Sequence, residues 1–445
     1  MPAVAAIDSE YFEARNCPQS APGNGRMTTS VAADPAAQVN QSAPADIARF
    51  VGPSKTFWHV LSWGAVLLMF TLGIYRFWLT TDIRRYLWSN TELAGDSFEY
   101  SGTAYELLIG FLIAITALIP LYVAFFVLTL APGNFWSSLG LLALFFLGQY
   151  AVYRARRYRL TRTIYRGVRF HQTGSALLYS VYAVLWWALI ILSAGLAYPF
   201  AQSQLEHFKM RHTFFGNLPG RFEGSGWQLL VRGLPLWACT VVPFAIGAVA
   251  IILSIDWNAL NSTNGADVRA TGNDKGGLAG IDLIVAATGL WFLCSIALLY
   301  PVFQTILLRW WLSGLRFGDV AVRSRLRIAR VFGVYARFFG YAIMFTAMAG
   351  ILVVVAAFGL SKIAGGPSSM RGEIITTVLS LGAYAAIALG YWAIYQATVK
   401  LGVWRCVIES LEISNSAVLE QVAAAGEAAS PVGEGLADAL NVGGI

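Results

Sequence analysis

The chain has 445 residues, of which 57% are hydrophobic and only 12% charged. A soluble globular domain carries about 25% charged residues, so this composition excludes a protein whose whole surface faces water. The net charge of +7 rests on 26 Arg against 5 Lys, split among separate polar segments. That distribution sets nucleic acid aside and makes anionic lipid headgroups the natural partner, since a guanidinium pairs with phosphate through a planar fork.

Residues 1–48 are rich in Ala, Ser, Pro, Asn and Gln and hold no apolar core of a signal peptide. They are expected to be a disordered tail. Eight apolar runs follow, at 56–79, 105–130, 135–153, 174–200, 228–255, 281–308, 338–363 and 374–397. A helix needs about 20 apolar residues to cross the hydrocarbon core. The pattern therefore predicts an all-α, polytopic transmembrane helical bundle of about eight spans over 49–413. The Ala/Gly/Glu-rich remainder, 414–445, reads as a second disordered tail. Cys239 and Cys294 lie inside apolar runs, Cys17 in the tail and Cys406 alone near the last span. They suggest neither a disulfide framework nor a metal site.

A motif recurs between the spans. Thr91, Gly95, Phe98 and Gly102 give T-x3-G-x2-F-x3-G, and Thr163, Gly167, Phe170 and Gly174 repeat it behind Arg156, Arg157 and Tyr158. Looser copies hold Thr213, Phe222 and Gly224, then Gly314 and Phe317. Glycine allows a tight turn, and short hairpins or interfacial helices both fit the spacing. Aligning the copies makes 50–174 one three-span unit and 175–337 a second, with 338–397 as two extra spans. An odd unit in tandem inserts upside down the second time, which predicts an inverted repeat of the kind found in secondary transporters.

That scheme directs attention to four residues. Glu106 lies just inside the second span, with Gln228 at the matching place in the fifth. An intramembrane acid is a functional hypothesis, set against a helix-start carboxylate or a structural Arg pair. Pro120 and Pro243 interrupt those same two spans, either as broken helices around a midplane binding site or as kinks kept for packing. Arg154, Arg156, Arg157, Arg159, Arg323, Arg325 and Arg327 fit headgroup contacts or topology determinants. His207 and His212, with Glu206 and Glu223, lack the i, i+4 spacing that puts two imidazoles on one helix face. No metal or cofactor is expected. No Ser-His-Asp order, phosphate loop or dinucleotide fingerprint is present either, so no enzyme is expected.

The segments TLGIYRFW (71–78), RRYLWSNTELAG (84–95), FEYSGTAYELLIGF (98–111) and RARRYRLTRTIYRGVRF (154–170) resemble the YjgN family of bacterial inner-membrane proteins, a domain of unknown function. The resemblance covers roughly 50–412. The family carries Pro before the Trp of the first segment, where this chain has Phe77. The resemblance implies a multi-pass protein of the bacterial inner membrane and supplies no catalytic residue or substrate. Two functions follow as expectations: a permease for a small or amphipathic solute with a site near Glu106, Pro120, Gln228 and Pro243, or a non-transporting envelope protein that contacts lipid. Substrate and oligomeric state are left open.

Overall fold

The computed structural model describes residues 46–129, 134–254, 275–363, 370–426 and 429–442. The expected tail at 1–45 lies outside the described residues. Helix pairs and β-hairpins alternate along the chain. A short segment, β1 (Asp46–Ile47) and β2 (Arg49–Phe50), leads into α1 (Ser54–Phe70) and α2 (Arg76–Ser89), then hairpin β3 (Thr91–Leu93) and β4 (Asp96–Tyr100). Next come α3 (Ala104–Thr129), α4 (Asn134–Arg162), β5 (Thr163–Tyr165) and β6 (Val168–Gln172). The third set is α5 (Ala176–Leu192), α6 (Tyr198–Arg211), β7 (Thr213–Phe215) and β8 (Leu218–Phe222). The fourth is α7 (Gly226–Ser254), α8 (Lys275–Gly314), β9 (Leu315–Phe317) and β10 (Val320–Ser324). The last is α9 (Ile328–Ile363), then α10 (Met370–Tyr395), which continues through a π-helical turn (Gln396–Lys400) into α11 (Leu401–Ile408), and β11 (Leu411–Ser414). A 3-10 turn (Ser416–Gln421) and α12 (Val432–Ala439) follow.

The motif glycines explain the hairpins. Each turn has two residues, the length whose backbone twist matches paired strands and which needs positive φ. Ala94 and Gly95 (φ 47° and 88°) fill the first, Arg166 and Gly167 (49° and 74°) the second. In the looser copies the glycine moves forward one place, to Gly216 (53°) and Gly318 (54°). The motif threonines close the preceding helices: Thr91, Thr163 and Thr213 each donate to a carbonyl four residues back, those of Leu87, Arg159 and Lys209.

The eleven strands form one antiparallel sheet in which every hairpin pairs with the next and β11 pairs with β10. The two ends of the strand order, β1 and β2, are separated in the chain only by Ala48. β1 pairs with β11 and β2 with β3, so the order returns on itself. Its register places Phe98 opposite Tyr165, Phe170 opposite Phe215 and Gly220 opposite Phe317, all on one face. Those rings make an aromatic core; Phe170 and Phe317 come within 6.0 Å. The helices follow the same circuit. Each packs on its neighbour in chain order from α1 to α10, and α10 packs back on α1.

Three expectations are corrected. The first is the fold class: this is a helical assembly built on an antiparallel sheet, not an all-helical bundle. The second is the span count. Among the described residues five helices are long and apolar enough to cross a membrane: Ala104–Val127, Gly226–Ala250, Leu283–Gly314, Ile328–Ala356 and Thr376–Ile408. The expected first span breaks at Thr71–Tyr75, where Leu72 and Gly73 take φ of 50° and 90°; the expected fourth breaks at Ser193–Ala197, where Ala194 and Gly195 take 49° and 91°. The 17-residue helices so produced reach about 25 Å at 1.5 Å per residue, short of an about 30 Å hydrocarbon core. The expected third span is the first two-thirds of α4, whose last third carries the arginines. Along the five long helices, side chains such as Phe126, Leu253, Ile343, Leu352 and Leu381 are exposed, which fits a membrane protein.

The third correction is the inverted repeat. Each helical excursion begins and ends at a bonded residue pair: Phe50 with Thr91, Tyr100 with Thr163, Gln172 with Thr213, Phe222 with Leu315, and Ser324 with Leu411. Strands of two to five residues are too short to cross a bilayer. The hydrogen-bonded hairpins therefore lie on one side of any membrane the long helices cross, and each excursion crosses it an even number of times or not at all. All four hairpins share one side. The arginine-rich segments around Arg154–Arg159 and Arg323–Arg327 then fall on the same side, the arrangement the positive-inside rule favours.

The 414–445 segment, expected to be disordered, is also different where it is described. Leu419 and Val422 pack on the aromatic core. Ala423 exchanges two 3.2 Å hydrogen bonds with Asn217 at a hairpin tip. The Ala429 amide donates to Thr161 Oγ1 at the end of α4, and α12 packs on α3 and α4.

Candidate anion-binding cavity

A cavity of about 270 Å³ lies between α1, α2, α3, α4, α10 and α12. Its polar wall is built from arginines spaced along two helices. Arg76 and Arg84 sit two turns apart on α2, and Arg159 is near the end of α4. Its apolar wall includes Leu68, Leu79, Ile83, Leu389 and Trp392. Two carboxylates enter from the chain's own C-terminal helix. Glu434 pairs with Arg84, and its other oxygen lies 3.6 Å from Arg159; Asp438 pairs with Arg76.

Arg84 is the most enclosed of these charges, 4% exposed. Burial disfavours its cation, but Glu434 and the Tyr100 hydroxyl, 3.0 Å away, outweigh burial and raise its pKa. Burial lowers the Arg159 guanidinium; Glu434 opposes this, while Arg84 and Arg156 add to it. Asp438 is pushed up by burial, with Arg76 opposing and Glu434 reinforcing. Three guanidiniums therefore face two carboxylates. Three polar atoms at this site make no hydrogen bond: Arg84 Nε, Gln396 Oε1 and Glu434 Oε2. Of these only Arg84 Nε–H is a donor; together with the Arg76 and Arg159 guanidiniums it can hold an anion through charge-assisted hydrogen bonds, with an apolar wall beside it. A proton-transfer pair or nucleophile is not evident among these groups.

Of the residues singled out from sequence, only Arg159 lines this cavity. Glu106 is in the first turn of α3, where it accepts from Tyr158 Oη at 2.7 Å and Arg162 at 2.8 Å. That is the structural Arg pair. Gln228 is exposed in the first turn of α7. Pro120 is exposed on α3, and Pro243 lies on α7; α4, α5 and α6 stand between these helices in the circuit. Neither proline lines this cavity or the second one, a groove of about 640 Å³ beside Arg330, Arg337 and Arg405. The four residues are not brought together.

Arg156 lies 3.9 Å from Glu206, which also bonds Lys209 and Trp311 Nε1. Burial would raise the Glu206 carboxyl, but Lys209 and Arg156 hold it below its ordinary value. His207 and His212 face the backbone carbonyls of Ser203 and Phe208. Arg154 lies against Gly433, and Arg157 is half-buried. Arg323, Arg325 and Arg327 are exposed, with Arg325 paired to Glu412. Sequence reasoning missed Arg76, Arg84, Glu434 and Asp438. Arg84 stood in a quoted motif, but nothing there distinguished it from Arg85. The acids stood in a segment read as unstructured.

A family of bacterial proteins of unknown function, DUF898, matches residues 47–439. The chain belongs to this family. No curated protein and no solved structure matches it. The DUF898 match begins inside β1 and ends on the last residue of α12. The family domain therefore takes in the strand circuit apart from Asp46, and the helix that brings Glu434 and Asp438 to the cavity.

Proposed function

We propose that this is a non-enzymatic protein of the bacterial inner membrane that binds an anionic, amphipathic solute in the arginine-lined cavity. One observation carries the reading. A buried Arg84 with an unpaired Nε shares a cavity with Arg76 and Arg159 on one side and a wall of leucine, isoleucine and tryptophan on the other. Cationic and apolar surfaces set side by side suit a ligand with a charged head and an apolar body. Two of the helices around the cavity, α3 and α10, are long and apolar enough to cross a membrane, from which such a ligand could be received. A permease cycle is one use of such a site, relocated from the prolines to the arginines.

A fluorescent alkyl phosphate titrated into the purified protein tests the proposal. Saturable binding is expected, weakened about tenfold or more in Arg84→Gln, which corresponds to losing about 1.4 kcal/mol. A neutral alkyl glycoside should not compete. Equal binding by both proteins, or equal competition by the glycoside, would refute it.

The exposed Arg323, Arg325 and Arg327 favour a second reading, a protein that grips anionic headgroups at the hairpin side without moving a solute. Replacing all three with Gln should then strip phosphatidylglycerol from the purified protein, as read by native mass spectrometry. The alkyl phosphate site would be untouched.

A further inference from the structure

We infer that α12 is a built-in occupant of the cavity, held there by Glu434 and Asp438 and displaced when a ligand with a net-negative phosphate head binds, which a zwitterionic phosphatidylcholine is not. This rests on the cavity being an anion site, and adds how that site is controlled.

The carboxylates occupy the positions an incoming anion would need. Glu434 faces Arg84 and Arg159 together, and Asp438 faces Arg76. Guanidiniums match phosphate oxygens at least as well as carboxylate oxygens, through paired N–H donors. The fit of the native occupant is incomplete. The Arg84 Nε–H is a buried donor with no acceptor, and three guanidiniums stand against two carboxylates. Burying a charge without completing its hydrogen bonds forfeits much of the attraction. A phosphate could also meet the Arg84 Nε–H donor that the Glu434 carboxylate leaves unpaired.

The helix is also built to leave. Its eight residues are too few to stay helical alone, so α12 persists through docking. Docking needs glycine: a Cβ on Gly433 would meet Arg154, and one on Gly435 would overlap the Gly110 backbone. Upstream, the segment is clipped at Ala423 to Asn217, before Ala429 reaches Thr161. Release of α12 would leave the clip at the hairpin tip in place. The element therefore has two arrangements, and the ligand favours one of them. Reciprocity follows: whatever weakens docking strengthens ligand binding by the same factor.

Hydrogen exchange of residues 432–439, followed by mass spectrometry on the full chain in nanodiscs, tests this. With phosphatidylcholine discs the helix should be protected. Phosphatidylglycerol discs should raise its exchange if the phosphate belongs to a lipid. Inorganic phosphate added to phosphatidylcholine discs should raise it if the anion is free. The alkyl phosphate probe should raise it in either case. In Glu434→Gln/Asp438→Asn the helix should exchange fast throughout, and the probe should bind about tenfold more tightly, an ordinary size for such coupling. If the probe saturates an Arg84-dependent site in the native protein while 432–439 stay protected, the inference falls and the anion site stands. If neither the native protein nor the double variant binds the probe in an Arg84-dependent way, both fall.

Discussion

Gly110 on α3 and Gly435 on α12 meet back to back, so closely that a Cβ on Gly435 would overlap the Gly110 carbonyl. A Cβ on Gly110 would likewise run into the Pro431 carbonyl. The two glycines set how near the C-terminal helix can come to the cavity. Gly110→Ala or Gly435→Ala should expel α12 while leaving the sheet intact. Exchange protection should vanish at 432–439 and persist in the hairpin strands. Protection retained at 432–439 in both variants would show that the contact is not needed.

Topology follows from the sheet. Single cysteines at Ser97, Thr173, Ser225 and Arg323, with native cysteines replaced, should all react with an impermeant thiol reagent from one side of the membrane. Thr173 and Arg323 labelling from opposite sides would break the hydrogen-bonded order of the hairpins.

The hairpin turns separate backbone strain from crowding. Nothing lies within 4 Å of a Cβ placed on Gly95 or Gly167, yet both take positive φ. Replacement there costs backbone conformation alone, about 1–3 kcal/mol for a β-branched residue. Gly95→Val and Gly167→Val should therefore lower Tm more than Gly95→Asn and Gly167→Asn, because Asn tolerates the left-handed region. Equal losses for Val and Asn would mean that crowding, not φ, sets the cost.

His171 gives a pH dependence with a definite sign. It stacks on Phe214 at 5.2 Å and lies against Gly426. Burial first, then the Arg157 charge, hold its imidazole below the usual 6.5. The unfolded chain thus takes up the proton before the folded one does. The stability contributed by the neutral ring is complete above about 6.5 and declines as pH falls through and below that value. Thermal midpoints should drop between about pH 7.5 and 5.5, and His171→Gln should flatten part of that drop. An unchanged slope in His171→Gln would assign the effect elsewhere.

The hairpins were half legible in the sequence. The T-x3-G-x2-F-x3-G spacing located them, because a turn glycine and an alternating aromatic are local requirements. Their pairing was not, since Phe170 meets Phe317 only through a circuit of strands. The breaks at Leu72 and Ala194 were illegible for another reason. Both residues are ordinary helix formers, and the left-handed turn they enter leaves the apolar run unbroken in composition. Glu434 and Asp438 were hidden by the glycines around them. Gly433 and Gly435 read as disorder, yet they serve close approach to α3 and α4. Arg159 was found because arginine density is visible in one dimension; its partner arrives from the far end of the chain.

The five residues from Asp46 to Phe50 join β11 to β3. A ribosome delivers β3 soon after this segment, and β11 only after the ten other strands have emerged. Until Leu411–Ser414 emerge, β10 and β1 each present an open strand edge, while the long apolar helices are already emerging. An interrupted chain would keep those edges unpaired. Closure of the circuit is therefore a late, all-or-nothing event in the life of the polypeptide, and a natural point at which a membrane protease could tell finished molecules from unfinished ones.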